Sequence, residues 1–158
     1  MQISDWLLYK NNQLIAFNKP AGLPVQPDKT EDKSLLDLAE IYTKSKLEVL
    51  HRIDRPASGV VLFAKTDRAV QDISEQFRER NVGKTYLAAV QNRPPQNAGE
   101  LVHYLVKDGR ANRSKALDEL QSDAKEARMH YKVVGEIDNY FLLEIDLQTG
   151  RHHQIRAQ

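Results

Sequence analysis

The sequence predicts an α+β fold, a largely antiparallel mixed sheet with flanking helices. About seven stretches in the 158 residues show the alternating or continuous apolar pattern of strands. Only two or three stretches combine helical apolar spacing with a capping residue. In the second half the strand patterns follow one another without helices between them. That order favours antiparallel pairing over a doubly wound parallel sheet.

The first half contains three predicted strands and two predicted helices. Residues 7–9 and 14–17 flank Asn-Asn and read as a hairpin. Ser34 precedes apolar residues at helical spacing, so it is a predicted N-cap. Gly59–Ala64, GVVLFA, is a continuous apolar run typical of a buried strand. Asp67 is the predicted N-cap of the second helix.

The second half is predicted to be almost entirely strand. Four stretches alternate between apolar and polar residues, and they are residues 82–90, 101–106, 127–134 and 141–147. A turn is predicted at 135–139. The polar segment from Gly150 onward is interpreted as a basic edge strand.

The length and composition of the chain limit the classes of protein to which it can belong. The length fits one domain, predicted over residues 1–158, and the chain is expected to be C-terminally incomplete because it stops just after its most polar segment. With no cysteine, disulfides and thiol nucleophiles are excluded. No apolar window could span a bilayer, and the N-terminus lacks the pattern of a signal peptide. These features predict a cytoplasmic protein.

The formal net charge is only +1, so a nucleic-acid binder would need locally concentrated cations. Lys107, Arg110, Arg113 and Lys115 form one such segment. It is a candidate for holding phosphates. The alternative is an ordinary solvated surface.

The first segment with chemical potential is HRIDRPASG, residues 51–59. It places the Asp54 carboxylate beside His51, Arg52 and Arg55 in a loop that leads into the buried strand. Neighbouring cations keep a carboxylate ionised, which is the state that a nucleophile or a metal ligand requires. The alternative is a turn aspartate with a surface ion pair.

Two further segments are rich in functional groups. GRHHQIR, residues 150–156, carries Arg151 and Arg156, whose guanidinium groups match carboxylates and phosphates. Alternation along residues 83–87 places Tyr86 on one face with Lys84, where an aromatic ring could stack on a base. The alternatives are a solvated edge strand and a tyrosine at the rim of the core.

Other chemistries fit less well. A metal site from His51, Asp54, His152 and His153 is conceivable, but adjacent histidines on a strand point to opposite faces. Nearby arginines would also repel a cation. A hydrolase triad using Ser58 lacks the G-x-S-x-G turn. Phosphate-binding glycine loops are absent from the sequence.

Four motifs, taken together and in order, resemble RluA-type RNA pseudouridine synthases. HRIDRPASGVVLFAKT resembles the family's H-R-L-D-x-x-T/A-S-G motif, and NKPAGLPV resembles its N-K-P-x-G-x-x-V segment. GKTYLAAV resembles its K-x-Y strand, and TGRHHQIRAQ resembles its G-R-x-H-Q-I-R-x-H motif. The resemblance runs from about residue 7 to the end of the chain.

The resemblance implies an enzyme that isomerises uridine in ribosomal or transfer RNA, without cofactor or metal, and as a monomer. It implies that Asp54 is the nucleophile and that Arg156 pairs with it. It also implies that Tyr86 stacks on the target base and that Arg52 fills the gap left by the flipped uridine. Arg151 is expected, from charge alone, to hold a phosphate.

Some features depart from the family pattern. Ala57 stands where the family often has threonine, and Gln158 where it often has histidine. The usual continuation, L-x-x-x-G-x-P-I-x-G-D, and an S4-like RNA-binding module are both missing from the sequence. The competing hypothesis on the same scaffold is a non-catalytic RNA-binding protein.

Overall fold

The computed structural model describes residues 2–109 and 113–158. The chain divides into two compact units, Met1–Asn81 and Val82–Gln158. Each unit has its own antiparallel sheet and its own buried cluster, so the predicted single sheet is in fact two. The α+β class is confirmed. None of the described helices is long and apolar enough to cross a membrane.

The sheet of the first unit has the strand order β1-β2-β4-β3. Its strands are β1 Leu7–Lys10, β2 Leu14–Lys19, β3 Glu48–Val49 and β4 Gly59–Ala64, and a 3₁₀ turn at Ile3–Trp6 precedes them. The predicted hairpin and the buried strand are confirmed. The sequence did not reveal β3, because two residues are too few to show a period.

Two helices complete the first unit, α1 Leu35–Thr43 and α2 Asp67–Arg78. Ser34 caps α1 as predicted, since its hydroxyl accepts from the amide of Asp37 at 3.2 Å. The predicted cap of α2 was wrong by one residue. Thr66 has the extended backbone of an N-cap and accepts from the Ala69 amide at 3.3 Å, and Asp67 is the first helical residue.

The core of the first unit follows from strand alternation. Register pairs Ile15 with Phe63 and Phe17 with Val61, so these four side chains share one face of the sheet. All four are fully buried, together with Leu35 of α1. Burying a side chain of this size stabilises the fold by about 1.5–3 kcal/mol relative to exposure. The unit therefore has a core sufficient to hold the loops at the sheet's end.

The sheet of the second unit has the strand order β5-β9-β8-β6-β7. Its elements are β5 Thr85–Val90, β6 Ala98–Asp108, β7 Arg113–Leu117, β8 Lys125–Ile137, β9 Tyr140–Leu147 and the short helix α3 Gln154–Ala157. The four predicted strands are confirmed with shifted ends. The edge strand β7 was missed because its sequence, RSKAL, is mostly polar.

Two local predictions in this unit need correction. The turn predicted at 135–139 is confined to residues 138–139, since Gly135 lies in β8 and pairs with Leu142 after a bulge. The segment after Gly150 is a turn followed by α3, and not a strand. His153 has a left-handed backbone with φ of 51°, which ends any extended conformation at that point.

The inner face of the second sheet carries the core of that unit. Its buried members are Met129, Tyr131, Leu143, Ile145 and Leu147. Tyr86 of β5 and Ile155 of α3 pack against this cluster. One apolar surface therefore orients both the tyrosine strand and the arginine-bearing helix.

Candidate active site

Asp54 lies in a tight loop whose two ends are fixed. Its carbonyl accepts from the amide of Ala57 at 3.0 Å, which closes a turn. Upstream, the Leu62 amide of β4 donates to the His51 ring at 3.1 Å. Downstream, Gly59 enters β4 with φ of 136°, a conformation that favours glycine. The half-buried Asp54 side chain is thus presented from a short, pinned segment.

The accepting ring nitrogen of His51 carries no proton in this contact. His51 therefore serves as the acceptor that continues the β3–β4 pairing beyond Val49. Arg52 is exposed, and it forms no ion pair with another described residue of its unit. It is available to a ligand, as its predicted role requires.

The buried Lys19 is a functional residue that the sequence reasoning missed. Its side chain is fully buried at the end of β2, where Lys19 pairs with Gly59. The ammonium donates to the carbonyls of Pro20 at 3.0 Å, Leu23 at 2.6 Å and Arg55 at 3.2 Å. All three of its donors are used, which matches the charged form.

Lys19 also interacts electrostatically with Asp54. Burial lowers the pKa of the Lys19 ammonium, and the attraction of the Asp54 carboxylate opposes this by raising it. Lys19 is therefore a cation held inside the fold beside the predicted nucleophile. The signal for it was the N-K-P motif, in which a lysine ends a strand whose residues 15–17 are apolar and buried.

Arg55 does not surround Asp54 in the way the sequence suggested. Its guanidinium forms ion pairs with Asp32 at 2.6 Å and with Asp28 at 3.3 Å. Its charge is directed to these carboxylates of a neighbouring loop. Among the described residues of this unit, Lys19 is a cation that interacts with Asp54.

In the second unit, Tyr86 lies on the inner face of β5 as alternation predicted. It is paired with Ile145 across the sheet and is partly buried, while its neighbours Thr85 and Leu87 are exposed. The ring therefore lies at the margin of the core. This placement fits the rim interpretation, and the stacking role stays a prediction.

Arg156 lies in α3 and is exposed, while its neighbour Ile155 packs on the core. Arg151 lies in the preceding turn. Its guanidinium donates to the Glu126 carbonyl at 2.8 Å, and its own amide donates to Gln154 at 3.0 Å. Both predicted arginines are thus presented from a fixed turn and helix.

Gln154 anchors that turn and helix. Its amide oxygen accepts from Thr149 at 2.7 Å and from the Arg151 amide, and its amide nitrogen donates to the Arg128 carbonyl at 3.2 Å and to Gln158 at 2.9 Å. The side chain is 3% exposed. All four hydrogen-bonding positions of a buried amide are satisfied.

Gln158 continues the same network. Its amide nitrogen donates to the carbonyls of Leu101 and Ala127, each at 3.3 Å, and approaches the His103 ring at 2.9 Å. These acceptors belong to β6 and β8. The residue that departs from the family histidine therefore ties α3 to the centre of the sheet.

The basic segment after Lys107 is not one patch. Lys107 pairs with Ser114, and Lys115 pairs with Val106, so Lys107 and Lys115 lie on opposite faces of the hairpin. Arg113 shares the face of Lys115 and stands opposite Asp108. Arg110 lies outside the described residues.

The side chains of His152 and His153 are not arranged as expected for adjacent residues of a strand. The rings of His152 and His153 stack with centroids 3.7 Å apart, and Ser114 contacts His152 at 3.1 Å. They do not point to opposite faces of a strand. Among residues 2–109 and 113–158, no group of three or more potential ligands is arranged to hold a metal ion.

Comparison with known proteins places these features in a family. The model of the RNA pseudouridylate synthase family matches residues 13–158. A ribosomal large subunit pseudouridine synthase C from Rickettsia felis is 35% identical over 157 residues, which cover 97% of this chain and 51% of that protein. The corresponding protein from Rickettsia conorii is 36% identical, with the same coverage. The chain spans about half the length of these curated relatives.

Solved structures agree. The human RNA pseudouridylate synthase domain containing 4 superposes with a TM-score of 0.78 and 27% identity, covering 98% of this chain and 63% of that one. The human domain containing 1 superposes with a TM-score of 0.82 at 20% identity, covering 96% and 62%, which supports the fold alone. The family match covers almost the whole chain and confirms the resemblance of the four motifs. The chain belongs to the RNA pseudouridylate synthase family.

Proposed function

We propose that this protein converts uridine in RNA to pseudouridine, with Asp54 as the nucleophile. The observation that carries the proposal is the geometry of the Asp54 loop. A half-buried carboxylate is presented from a pinned turn, and the buried ammonium of Lys19 attracts it. A carboxylate must be ionised to act as a nucleophile.

The reaction is an isomerisation and needs no external reactant. The bond between N1 of uracil and C1′ of ribose breaks, and a bond between C5 and C1′ forms. The proton on C5 is lost, and N1 gains one. Asp54 takes part through a covalent adduct, formed either with the ribose C1′ or with the uracil ring, and is regenerated at the end. No cofactor or metal is required by this balance.

The target base must leave its stack before Asp54 can reach it, at a cost of about a few kcal/mol. In the proposed complex Arg52 fills the gap and Tyr86 stacks on the flipped base. Arg156 pairs with Asp54, and Arg151 contacts a phosphate. Support for these roles comes from exposure of the three arginines and from the position of Tyr86 at the core margin.

The substrate we propose is ribosomal RNA, with transfer RNA as the second possibility. Relatives whose names specify ribosomal large subunit RNA support the first. A single catalytic domain over residues 1–158, a monomer and a cytoplasmic location stay predictions of the sequence.

The direct test uses the purified full-length protein and unmodified ribosomal RNA transcripts. Wild type is expected to form pseudouridine at one or a few positions. Asp54→Asn, which keeps the shape but not the charge, is expected to reduce the rate by at least about 10³-fold. Asp72→Asn, on the exposed face of α2, is the matched control and should be fully active. RNA binding by all variants without turnover would favour the non-catalytic RNA-binding hypothesis.

A further inference from the structure

The side chain of Arg55 spans four groups of a second loop, residues 22–32. Its Nε donates to the Gly22 carbonyl at 2.9 Å, and one terminal nitrogen donates to Asp32 at 2.6 Å. The other terminal nitrogen donates to the Thr30 hydroxyl at 2.8 Å and to Asp28 at 3.3 Å. Every nitrogen of the guanidinium therefore faces this loop.

The backbone of Arg55 is tied to the same region. The Gly22 amide donates to the Arg55 carbonyl at 2.8 Å, and Lys19 donates to that carbonyl at 3.2 Å. Gly22 itself has φ of 87°, a value that favours glycine and permits this close approach. The residue after Asp54 is thus fixed by both its main chain and its side chain.

The acceptors on the second loop are also linked to one another by hydrogen bonds. Thr30 donates its hydroxyl within the Asp28–Asp32 group, and its amide donates to Asp28 at 2.9 Å. Hydrogen bonding to Arg55 and Thr30 lowers the pKa of Asp32, and hydrogen bonding to Thr30 lowers that of Asp28. Two ionised carboxylates therefore oppose one guanidinium, and the local net charge is negative.

An arginine beside a nucleophile in an RNA enzyme would ordinarily be interpreted as a phosphate ligand. Here its fork is occupied by two carboxylates, which a phosphate would have to displace. The planar fork also matters, because a lysine ammonium is a point charge and cannot span the same four groups. The contacts of Arg55 therefore favour a role in holding the two loops together over a role in binding a phosphate.

We propose that Arg55 is a positioning residue that clamps the Asp54 loop to residues 22–32. The proposal rests on the proposed function of Asp54. The clamp fixes where the carboxylate stands, so its loss reduces the rate of the chemical step and leaves RNA affinity unchanged. A small displacement of a reacting group is enough to cost a large factor in rate.

The test compares Arg55→Ala, Arg55→Lys and Asp32→Asn in the full-length protein. Arg55→Ala is expected to lower kcat about tenfold with KM within about twofold of wild type. Arg55→Lys should resemble Arg55→Ala, because charge without the fork does not restore the clamp. Asp32→Asn should lower kcat less, and the double variant Arg55→Ala/Asp32→Asn should be no worse than Arg55→Ala alone.

The control is Arg68→Ala, which removes another exposed arginine with one carboxylate partner, Asp72. It should behave as wild type. The proposal is overturned if Arg55→Ala raises KM about tenfold at constant kcat, reduces the salt dependence of RNA binding, and is rescued by Arg55→Lys. It is also overturned if kcat is unchanged in all three variants.

A readout independent of activity is hydrogen exchange of residues 22–32 in the RNA-free protein. Arg55→Ala and Asp32→Asn should both accelerate exchange there, while exchange in the strand Gly59–Ala64 stays slow. Unchanged exchange would contradict the clamp even in a variant with reduced kcat. If the wild-type protein makes no pseudouridine, the proposed function fails, and the exchange result still decides whether the clamp exists.

Discussion

The Asp54 loop and the α3 segment both carry residues predicted to contact RNA, but different kinds of side chain hold them in place. The loop is held by the cations Lys19 and Arg55, which donate to carbonyls and carboxylates. The helix is held by the neutral amides of Gln154 and Gln158. A cation beside a nucleophile does two tasks, because it fixes the loop and sets the local potential. Neutral amides fix a helix without competing for its arginines' ligands.

The comparison predicts that the loop cations affect chemistry and the helix amides affect stability. The largest difference is expected at Lys19. Lys19→Met keeps the buried volume but removes one hydrogen-bond donor from each of three carbonyls and removes the cation near Asp54. We expect kcat to fall about 100-fold, together with a loss of stability of about 3 kcal/mol.

The measurement is kcat alongside the free energy of unfolding by urea. Lys46→Met is the control, since that side chain is 93% exposed and pairs only with Glu40 among the described residues. A Lys19→Met protein that loses stability but keeps wild-type kcat would show that Lys19 only supports the fold.

The next effect concerns Gln154. Gln154→Leu has a similar volume but removes the acceptor of the Arg151 amide and the Thr149 hydroxyl, and one donor to the Arg128 carbonyl. We expect the second unit to lose about 2 kcal/mol of stability, visible as a lower Tm. RNA affinity should fall as well, because α3 and Arg151 lose their anchor.

Gln91→Leu provides the matched control, as Gln91 is exposed in the same unit. Gln154→Glu should be as damaging as Gln154→Leu, because a carboxylate cannot donate to the Arg128 carbonyl. If Gln154→Glu is as stable as wild type, the amide network is not what holds α3.

The smallest expected effect is a difference between the two regions in how their stability depends on pH. The pKa values of Asp28 and Asp32 are lowered in the folded protein, chiefly by hydrogen bonds from Thr30 and Arg55 respectively. Carboxylates of this kind stabilise the fold above their unfolded pKa, and that contribution is lost as pH falls through the folded value. Between pH 6 and 8 both carboxylates stay ionised, so the stability of the clamp should not change with pH.

Below about pH 4, residues 22–32 should lose protection from hydrogen exchange before α3 does, because the amides of Gln154 and Gln158 do not titrate. High salt should act in the same direction on the exposed Arg55 pairs. Equal loss of protection in both regions would contradict the distinction between charged and neutral anchoring.

The sequence predicted the elements that have a period or a clear cap. Gly59–Ala64 is a continuous apolar run, and Ser34 precedes a helical pattern, so both were found. The α3 helix was missed because four polar-rich residues show no period and the left-handed His153 redirects the chain. Alternation also could not show that the strands divide between two sheets.

The motifs predicted site roles for Asp54, Tyr86 and the arginines, but they did not show which residues hold these side chains in place. Lys19 and Gln154 donate hydrogen bonds to carbonyls that are distant in the sequence. Lys19 contacts the Arg55 carbonyl, 36 residues away, and Gln154 contacts the Arg128 carbonyl, 26 residues away. Such partners depend on tertiary structure. Arg55 is adjacent to Asp54 in sequence, yet its ion pairs are with residues 23 and 27 positions away.

The most direct test of the central claim is made in cells that lack this protein. Pseudouridine is mapped across ribosomal and transfer RNA after complementation with the full-length wild type or with Asp54→Ala. The account predicts that one or a few sites are lost in the deletion strain and return only with the wild type. Restoration of the same sites by Asp54→Ala would contradict Asp54 as the nucleophile and, with it, the proposed mechanism.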